Sequence, residues 1–180
     1  MATYNITTGN DDFYVYQPDG SGNTYYYTTT TLTAGRNNVV SPSVTYTAYI
    51  NIDTSGIPDT DVISAATLYI YEHSYTASKG ISKIYNIYFP AVPSYIIYGK
   101  TYAGGWTSEA LTAAEYGAIN KTGTTDFTLS VPDPPAFKFR DFKIRAYEYD
   151  TPSTFSAYLV VTHAAPSTGV ITRTLLGVGI

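Results

Sequence analysis

The chain has 180 residues, which is enough for one domain with a sizeable buried core. It contains no cysteine, its formal net charge is −4, and only 13% of its residues are charged. These numbers exclude disulfides and thiolate metal sites, and they argue against a large phosphate-binding surface. With so few charges, the surface has to be covered by Thr, Ser, Asn and the 20 Tyr, or by a partner.

The first residues show no basic start and no apolar run, so we expect no signal peptide and a protein that is made and left in the cytosol. No stretch approaches the roughly 20 apolar residues that span a bilayer, so we expect no membrane partner. Ala2–Thr8 is strand-like. We predict that residues 1–10 serve as an arm, with Thr3, Tyr4 and Ile6 as its contact residues.

Short runs of strand-forming residues recur along the chain at intervals of about ten residues, which is typical of a sandwich or barrel. Within Val44–Ile52 apolar and polar residues alternate, and this period of two indicates a strand with one buried face. We therefore predict an all-β fold, a jelly-roll β-sandwich with one short helix. The predicted strands are Asp12–Gln17, Asn23–Thr31, Asn38–Val40, Val44–Ile52, Ala65–Ser74, Ser82–Phe89, Ser94–Lys100, Asp126–Val131, Asp141–Tyr149 and Ala157–His163.

Clusters of glycine, proline, Asp and Asn separate most of these strands and predict turns. The predicted turns are Pro18–Gly22, Ala34–Asn37, Asp53–Asp61, Ser78–Gly80 and Pro132–Pro135. The helix is predicted at Ala113–Ile119, because Thr112 and Glu115 have the spacing of a capping box.

The basic residues form one dense group, made of Lys138, Arg140, Lys143 and Arg145, with aromatic and aliphatic side chains between them. Interleaving of this kind can mark single-stranded nucleic-acid binding. In an acidic chain we interpret it as a strand with a solvated basic face, and we expect no nucleic-acid partner.

No residue pattern points to catalysis, so we expect no enzyme. The two histidines, His73 and His163, lie at predicted strand ends without metal-ligand spacing. No pair of carboxylates is marked for glycoside hydrolysis. Asn10–Asp12 and Asp59–Asp61 offer oxygen ligands for calcium, but Asp and Asn are also ordinary turn residues. We therefore expect no cofactor and keep calcium as the alternative.

Trp106 is the single tryptophan of the chain and follows two glycines in a predicted loop, with Tyr102 close by. Exposed flat aromatic residues at the rim of a sandwich could bind glycans. A tryptophan that precedes the helix could instead plug the open end of the sandwich. The residues leave both interpretations open.

Four segments, taken in order, carry a resemblance to a known family. They are IDTSGIP at Ile52–Pro58, VISAATLYIY at Val62–Tyr71, FKIR at Phe142–Arg145 and FSAYLVVTH at Phe155–His163. In this order they resemble the jelly-roll sandwich of the DNRLRE-type, carbohydrate-binding-module-like domains, over roughly Ser43–His163, although the DNRLRE-like peptide itself is absent. The resemblance implies a jelly-roll fold in a module of large secreted proteins, or in phage virion proteins, where the same sandwich occurs.

We divide the chain into a β-sandwich domain at 1–163 and a C-terminal region at 164–180. In that region Ala164–Gly169 reads as a linker and Val170–Ile180 as an apolar arm, which either folds back as a final strand or docks on a neighbouring subunit. The predicted contact residues of this arm are Val170, Ile171, Leu175, Leu176, Val178 and Ile180.

Low charge, abundant tyrosine, the apolar arm and the lack of a signal peptide together favour a subunit that buries much surface in an assembly. We predict a non-enzymatic virion structural protein of a bacteriophage, first a capsid decoration (cement) protein and second a tail, neck or fibre-associated subunit. Its predicted partners are the major capsid protein or other virion subunits, and further copies of itself in a homo-oligomer. The alternatives are a carbohydrate-binding adhesion module and a self-assembling extracellular filament or surface-layer subunit.

Overall fold

Strands make up nearly all of the regular structure. A computed structural model describes residues 1–6, 12–27, 29–146 and 155–167. The strands in these ranges are β1 Ala2–Asn5, β2 Asp12–Pro18, β3 Thr24–Tyr26, β4 Thr31–Asn37, β5 Val44–Asp53, β6 Val62–Ala77, β7 Ile84–Phe89, β8 Ser94–Thr101, β9 Gly105–Ala110, β10 Thr124–Ser130, β11 Phe139–Arg145 and β12 Tyr158–Ala164. One helix, α1, spans Ala113–Gly117. The predicted all-β class is confirmed.

All these strands belong to one curled antiparallel sheet. Its order is β1-β12-β6-β11-β4-β5-β10-β7-β8, with β2 on β5, β3 on β2 and β9 on β6. Most neighbours in this order are distant in sequence, as in a jelly roll. Within the described ranges, no helix has the length and apolar character needed to cross a membrane.

The core lies between the two halves of the curled sheet. On β5 the buried residues are Ala48, Ile50 and Ile52, while the residues between them are partly exposed. This is the predicted alternation, and β5 extends one residue past the predicted end. In the middle of the core, Phe142 of β11 stacks on Tyr85 of β7 with ring centroids 4.3 Å apart. Because β11 and β7 lie far apart in the sheet order, this stack ties the two halves together.

A buried carboxylate fixes the loop that leads into β9. Glu72 of β6 is 2% exposed. It accepts hydrogen bonds from the Tyr85 hydroxyl at 2.5 Å and from the backbone N–H groups of Ala103 and Gly104 at 2.8 Å each. Burial, followed by the bond to Glu72, raises the pKa of Tyr85, so its hydroxyl keeps the proton that it donates.

The predicted turn at Ala34–Asn37 is wrong, because these residues lie inside β4. Gly35 sits opposite Asp141 on one neighbouring strand and Tyr46 on the other. A Cβ atom at position 35 would come within 2.7 Å of the Arg140 carbonyl oxygen. The glycine is needed for this close approach of strands rather than for a turn.

Other predicted boundaries also shift. The predicted strand Asn38–Val40 is wrong: Val39 and Val40 lie in a bend between β4 and β5 and are 56% and 46% exposed. The predicted strand at Asn23–Thr31 divides into β3 and the start of β4. The last residues of the predicted strand Asp141–Tyr149, at 147–149, lie outside the described residues. Strand β9 was not predicted.

The capping box of α1 is confirmed. The Thr112 N–H donates to Glu115 Oε2 at 2.7 Å, and both halves of the box are present. The helix ends at Gly117 rather than at the predicted Ile119.

We expect Glu72→Ala to lower the free energy of unfolding by about 2 kcal/mol, because the Tyr85 hydroxyl then lies buried without its acceptor and the loop before β9 loses its anchor. Urea denaturation measures this loss. The control is Glu109→Ala, which removes a partly exposed ion pair with Lys100 and should cost less than about 1 kcal/mol. Equal losses in the two variants would show that Glu72 has no special role.

Candidate functional site

Trp106 lies on β9, opposite Tyr71 of β6. Its ring meets those of Tyr71 and Tyr158 edge-on, with centroids 5.4 Å and 5.3 Å away. It is nevertheless 43% exposed. The prediction that Trp106 lies in a loop is therefore wrong. The alternative that it plugs one end of the sandwich is also wrong, since neighbouring rings hold it at the surface.

Further rings extend this surface. Tyr69 and Tyr158 are register partners on β6 and β12, and their rings stack at 4.7 Å. The ring of Phe155 lies 4.6 Å from that of Tyr71. We call this group the Trp106 platform; its members are Tyr69, Tyr71, Trp106, Phe155 and Tyr158.

Tyr102, which was predicted beside Trp106, is placed elsewhere. Its ring packs against those of Tyr75 and Phe142 at 5.8 Å and 6.1 Å, and its hydroxyl donates to the His73 carbonyl oxygen at 3.3 Å. Tyr102 thus borders the core, and the structure records no ring contact between it and Trp106 in the described part of the chain.

A second surface feature is a groove of about 410 Å³. Its lining residues come from β2, β4, β5 and β11 and are Tyr14, Thr33, Asn37, Tyr46, Phe139, Arg140, Asp141 and Lys143. The strand register explains why they meet, since Asp141, Gly35 and Tyr46 are successive partners across three strands. A Cβ atom on Gly35 would meet the Arg140 carbonyl oxygen at 2.7 Å and the Tyr46 ring at 3.5 Å, so the glycine allows the close strand approach that brings Asp141 and Tyr46 to the same groove.

Asp141 supplies the negative charge in the groove. Burial raises the pKa of this carboxyl, and the Lys143 ammonium, with its nitrogen 3.7 Å from Oδ2, offsets only part of that effect. Its other oxygen, Oδ1, is buried and has no hydrogen-bond partner among the described residues. A ligand with a hydroxyl or N–H group could supply the missing donor.

Tyrosine rings form the apolar wall of the groove. Tyr14 stacks on Tyr26 at 4.8 Å and lies 6.3 Å from Tyr46. Burial and the neighbouring acidic groups raise the pKa values of Tyr14 and Tyr46, so both hydroxyls stay protonated and can donate as well as accept. Aromatic faces beside a carboxylate and an ammonium suit a neutral ligand with many hydroxyl groups.

The prediction of a solvated basic face is wrong for Arg140. Arg140 is only 9% exposed because it shares the core-facing side of β11 with Phe142 and Ile144. Its guanidinium donates to the Pro132 carbonyl oxygen at 2.8 Å. Lys143 lies on the other face of β11, and both residues are among those that line the groove.

The oxygen-rich loop at Asp59–Asp61 already holds a cation. The Lys121 ammonium donates to the carbonyl oxygens of Asp59 and Asp61 at 2.7 Å and 2.8 Å. In the described ranges, no three His, Cys, Asp or Glu side chains converge in a way that could hold a metal ion. In the other predicted loop, Asn10 and Asp11 lie outside those ranges, and Asp12 is buried on β2.

His163 has partners that its place in the sequence does not indicate. Its Nδ1 lies 2.7 Å from Asp61 Oδ2 and its Nε2 lies 3.1 Å from the Tyr4 hydroxyl oxygen. No spacing rule could have found this group, because the three residues are far apart in the sequence. The other histidine, His73, lies inside β6 rather than at its end, and burial lowers its pKa, as do Arg145 and Lys143.

Of the predicted N-terminal arm at 1–10, residues 7–10 lie outside the described residues, and Ala2–Asn5 lie in the sheet as β1. Strand β1 pairs with β12, and Ile6 is 2% exposed within the core. Thr3 is exposed and Tyr4 is partly buried. The C-terminal arm at 170–180, with all of its predicted contact residues, lies outside the described residues.

Comparison with known proteins adds no family. No protein-family model matches the sequence, and no curated protein matches it significantly. The resemblance to the DNRLRE-type domains therefore stays a prediction that rests on the segments quoted above.

We expect Asp141→Asn to raise the free energy of unfolding at pH 7. Folding raises the pKa of this carboxyl, so the charged form costs stability at neutral pH, and that cost fades as the pH falls and Asp141 becomes protonated. The difference between variant and wild type, measured by urea denaturation, should therefore shrink in acid.

Asp53→Asn is the matched control with the opposite sign. Hydrogen bonds from the Ser55 hydroxyl and N–H lower the pKa of Asp53, so its carboxylate stabilises the fold at neutral pH. This variant should be less stable than wild type at pH 7, with the difference vanishing in acid. An Asp141→Asn protein that is destabilised at pH 7 would contradict the account of the groove.

Proposed function

We propose that this chain is a non-enzymatic structural subunit of a virion, and within that class a phage capsid decoration (cement) protein. The observation that supports this is the amount of aromatic surface outside the core. Trp106 is 43% exposed, Tyr98 77% and Phe137 81%. Aromatic residues are enriched in the buried centres of protein interfaces, whereas Lys and Glu are depleted there.

The proposed mechanism is adhesion. The sandwich sits on the shell, contacts adjacent capsomers and stabilises the particle through the area that it buries. Its partners are the major capsid protein or other virion subunits, together with further copies of itself. Two separate aromatic patches could make such contacts. One is the Trp106 platform, and the other is formed on the edge strand β8 by Tyr95 and Tyr98, whose rings lie 5.3 Å apart. Separate patches suit a subunit that touches more than one neighbour.

Quantitative mass spectrometry of gradient-purified particles tests this proposal. Peptides of this chain should be present at a copy number that matches the symmetry of the shell or tail. Their absence from infectious particles would overturn it.

We expect deletion of Val170–Ile180 to abolish association with the particle. Covering the apolar side chains of this arm with a neighbouring subunit removes them from water, and this stabilises the complex. Co-sedimentation with particles that lack the chain measures this. A finer comparison uses two double variants. Replacing Leu175 and Leu176 by Ser removes apolar side chains, whereas replacing Thr172 and Thr174 by Ser keeps hydroxyl side chains and is the control. If the deletion variant and both sets of substitutions bind the particle as well as wild type does, the arm is not the contact.

A second candidate function, a carbohydrate-binding adhesion module, is favoured by the platform and the groove. The platform offers a tryptophan held by edge-on neighbours, and the groove offers tyrosines beside an unpartnered carboxylate oxygen. Under this function Trp106→Ala or Asp141→Ala should abolish glycan retention, according to which surface binds. Tyr98→Ala, at an exposed tyrosine outside both surfaces, is the control. An intact protein that binds nothing on a broad glycan array would exclude this function.

A further inference from the structure

Tyr4, His163 and Asp61 form a hydrogen-bonded array in which the histidine lies between the other two. The Tyr4 hydroxyl oxygen is 3.1 Å from His163 Nε2, and His163 Nδ1 is 2.7 Å from Asp61 Oδ2. A carboxylate only accepts hydrogen bonds, so the short contact places a proton on Nδ1. In a neutral imidazole Nε2 then carries the free lone pair, and the Tyr4 hydroxyl donates to it.

The fold holds each member of this array in place. Tyr4 lies on β1 opposite Leu159 of β12, the strand that also carries His163. The ring of Tyr4 lies against the backbone at Gly56, where an added Cβ would come within 3.4 Å of its Cε1. The connector that carries Asp61 is fixed by the Lys121 ammonium, which binds the Asp61 carbonyl oxygen.

The arrangement is that of a nucleophile, a general base and an orienting carboxylate. The side chains of His163 and Asp61 are only 16% and 13% exposed, so bulk water competes little with their mutual bond. Tyr4 is partly exposed, so a reagent can reach it from solvent.

We propose that Tyr4 is a nucleophilic tyrosine that accepts an acyl group from an activated ester, with His163 as its general base and Asp61 as a positioning residue. The Tyr4 hydroxyl oxygen attacks the ester carbonyl carbon while its proton moves to His163 Nε2. The bond to the leaving alcohol breaks, and the imidazolium returns the proton to that leaving group. The products are an O-acyl tyrosine and one alcohol. This is one modification per chain rather than turnover, and it does not depend on the proposed virion role.

General-base assistance is what distinguishes Tyr4 from the other tyrosines. Burial, and secondly the Asp61 carboxylate, raise the pKa of Tyr4, so it gains nothing from ready ionisation of its phenol. Its reactivity has to come from proton transfer during the attack. The Asp61 carboxylate pairs with the imidazole, and the Lys121 ammonium, on the loop before β10, binds the carbonyl oxygen of the same Asp61.

Acetylation by p-nitrophenyl acetate, followed by peptide mass spectrometry, tests the proposal. We expect Tyr4 to be acetylated about 100-fold faster than Tyr98, which is 77% exposed and lies outside the array, because positioned bases contribute factors of this size. His163→Gln should reduce the Tyr4 rate to that of Tyr98, and Asp61→Asn should reduce it by a smaller factor. Circular dichroism checks that the variants fold.

The pH profile of the wild-type protein provides a test that needs no substitution. General-base assistance helps a protonated phenol most, so the ratio of the Tyr4 rate to the Tyr98 rate should be largest well below the pH at which phenols ionise and should fall as that pH is approached. A Tyr4 rate that matches Tyr98 in size or in pH profile would overturn the proposal. So would a folded His163→Gln protein that is acetylated at Tyr4 as fast as wild type.

Discussion

A single antiparallel sheet that curls until its two halves pack together is the constraint on which the rest of this structure depends. Each strand has two faces, and only one of them can point into the core. On β5 that face carries Ala48, Ile50 and Ile52, while Tyr49 points the other way and stacks on Phe13 at 4.8 Å. Side chains alternate between the two faces of each strand, so many tyrosines lie on the face that points away from the core. They make the charge-poor surface aromatic.

The candidate sites follow from where the curl brings strands together. Gly35 lets two strands approach closely, and this places Asp141 and Tyr46 as its register partners on either side, where both line the groove. The Trp106 platform forms because Glu72 anchors the loop before β9, and β9 then pairs with β6. In both places a feature of the interior decides what the surface offers, which connects the packing of the fold to the proposed adhesive role.

The sequence predicts features that local pattern determines and misses those that depend on distant contacts. Strand β5 is correct within one residue because period-two alternation is a property of adjacent residues. Gly35 looks like a turn residue in the sequence, yet a glycine is required there because the backbone of Arg140 on another strand approaches it closely. The six residues of β9 read as a loop, since pairing with β6 rather than their own composition makes them a strand. His163 and Asp61 are 102 residues apart, and no spacing rule relates them.

We propose that the aromatic residues outside the core are contact surfaces in an assembled particle. Hydroxyl-radical footprinting of the free protein and of the protein in its particle tests this claim directly, because it measures the accessibility of individual aromatic side chains. We expect strong protection of Trp106 or of Tyr98 in the particle, with core residues such as Phe142 unreactive in both states. Equal oxidation of Trp106, Tyr98 and Phe137 in the free and assembled states would contradict it.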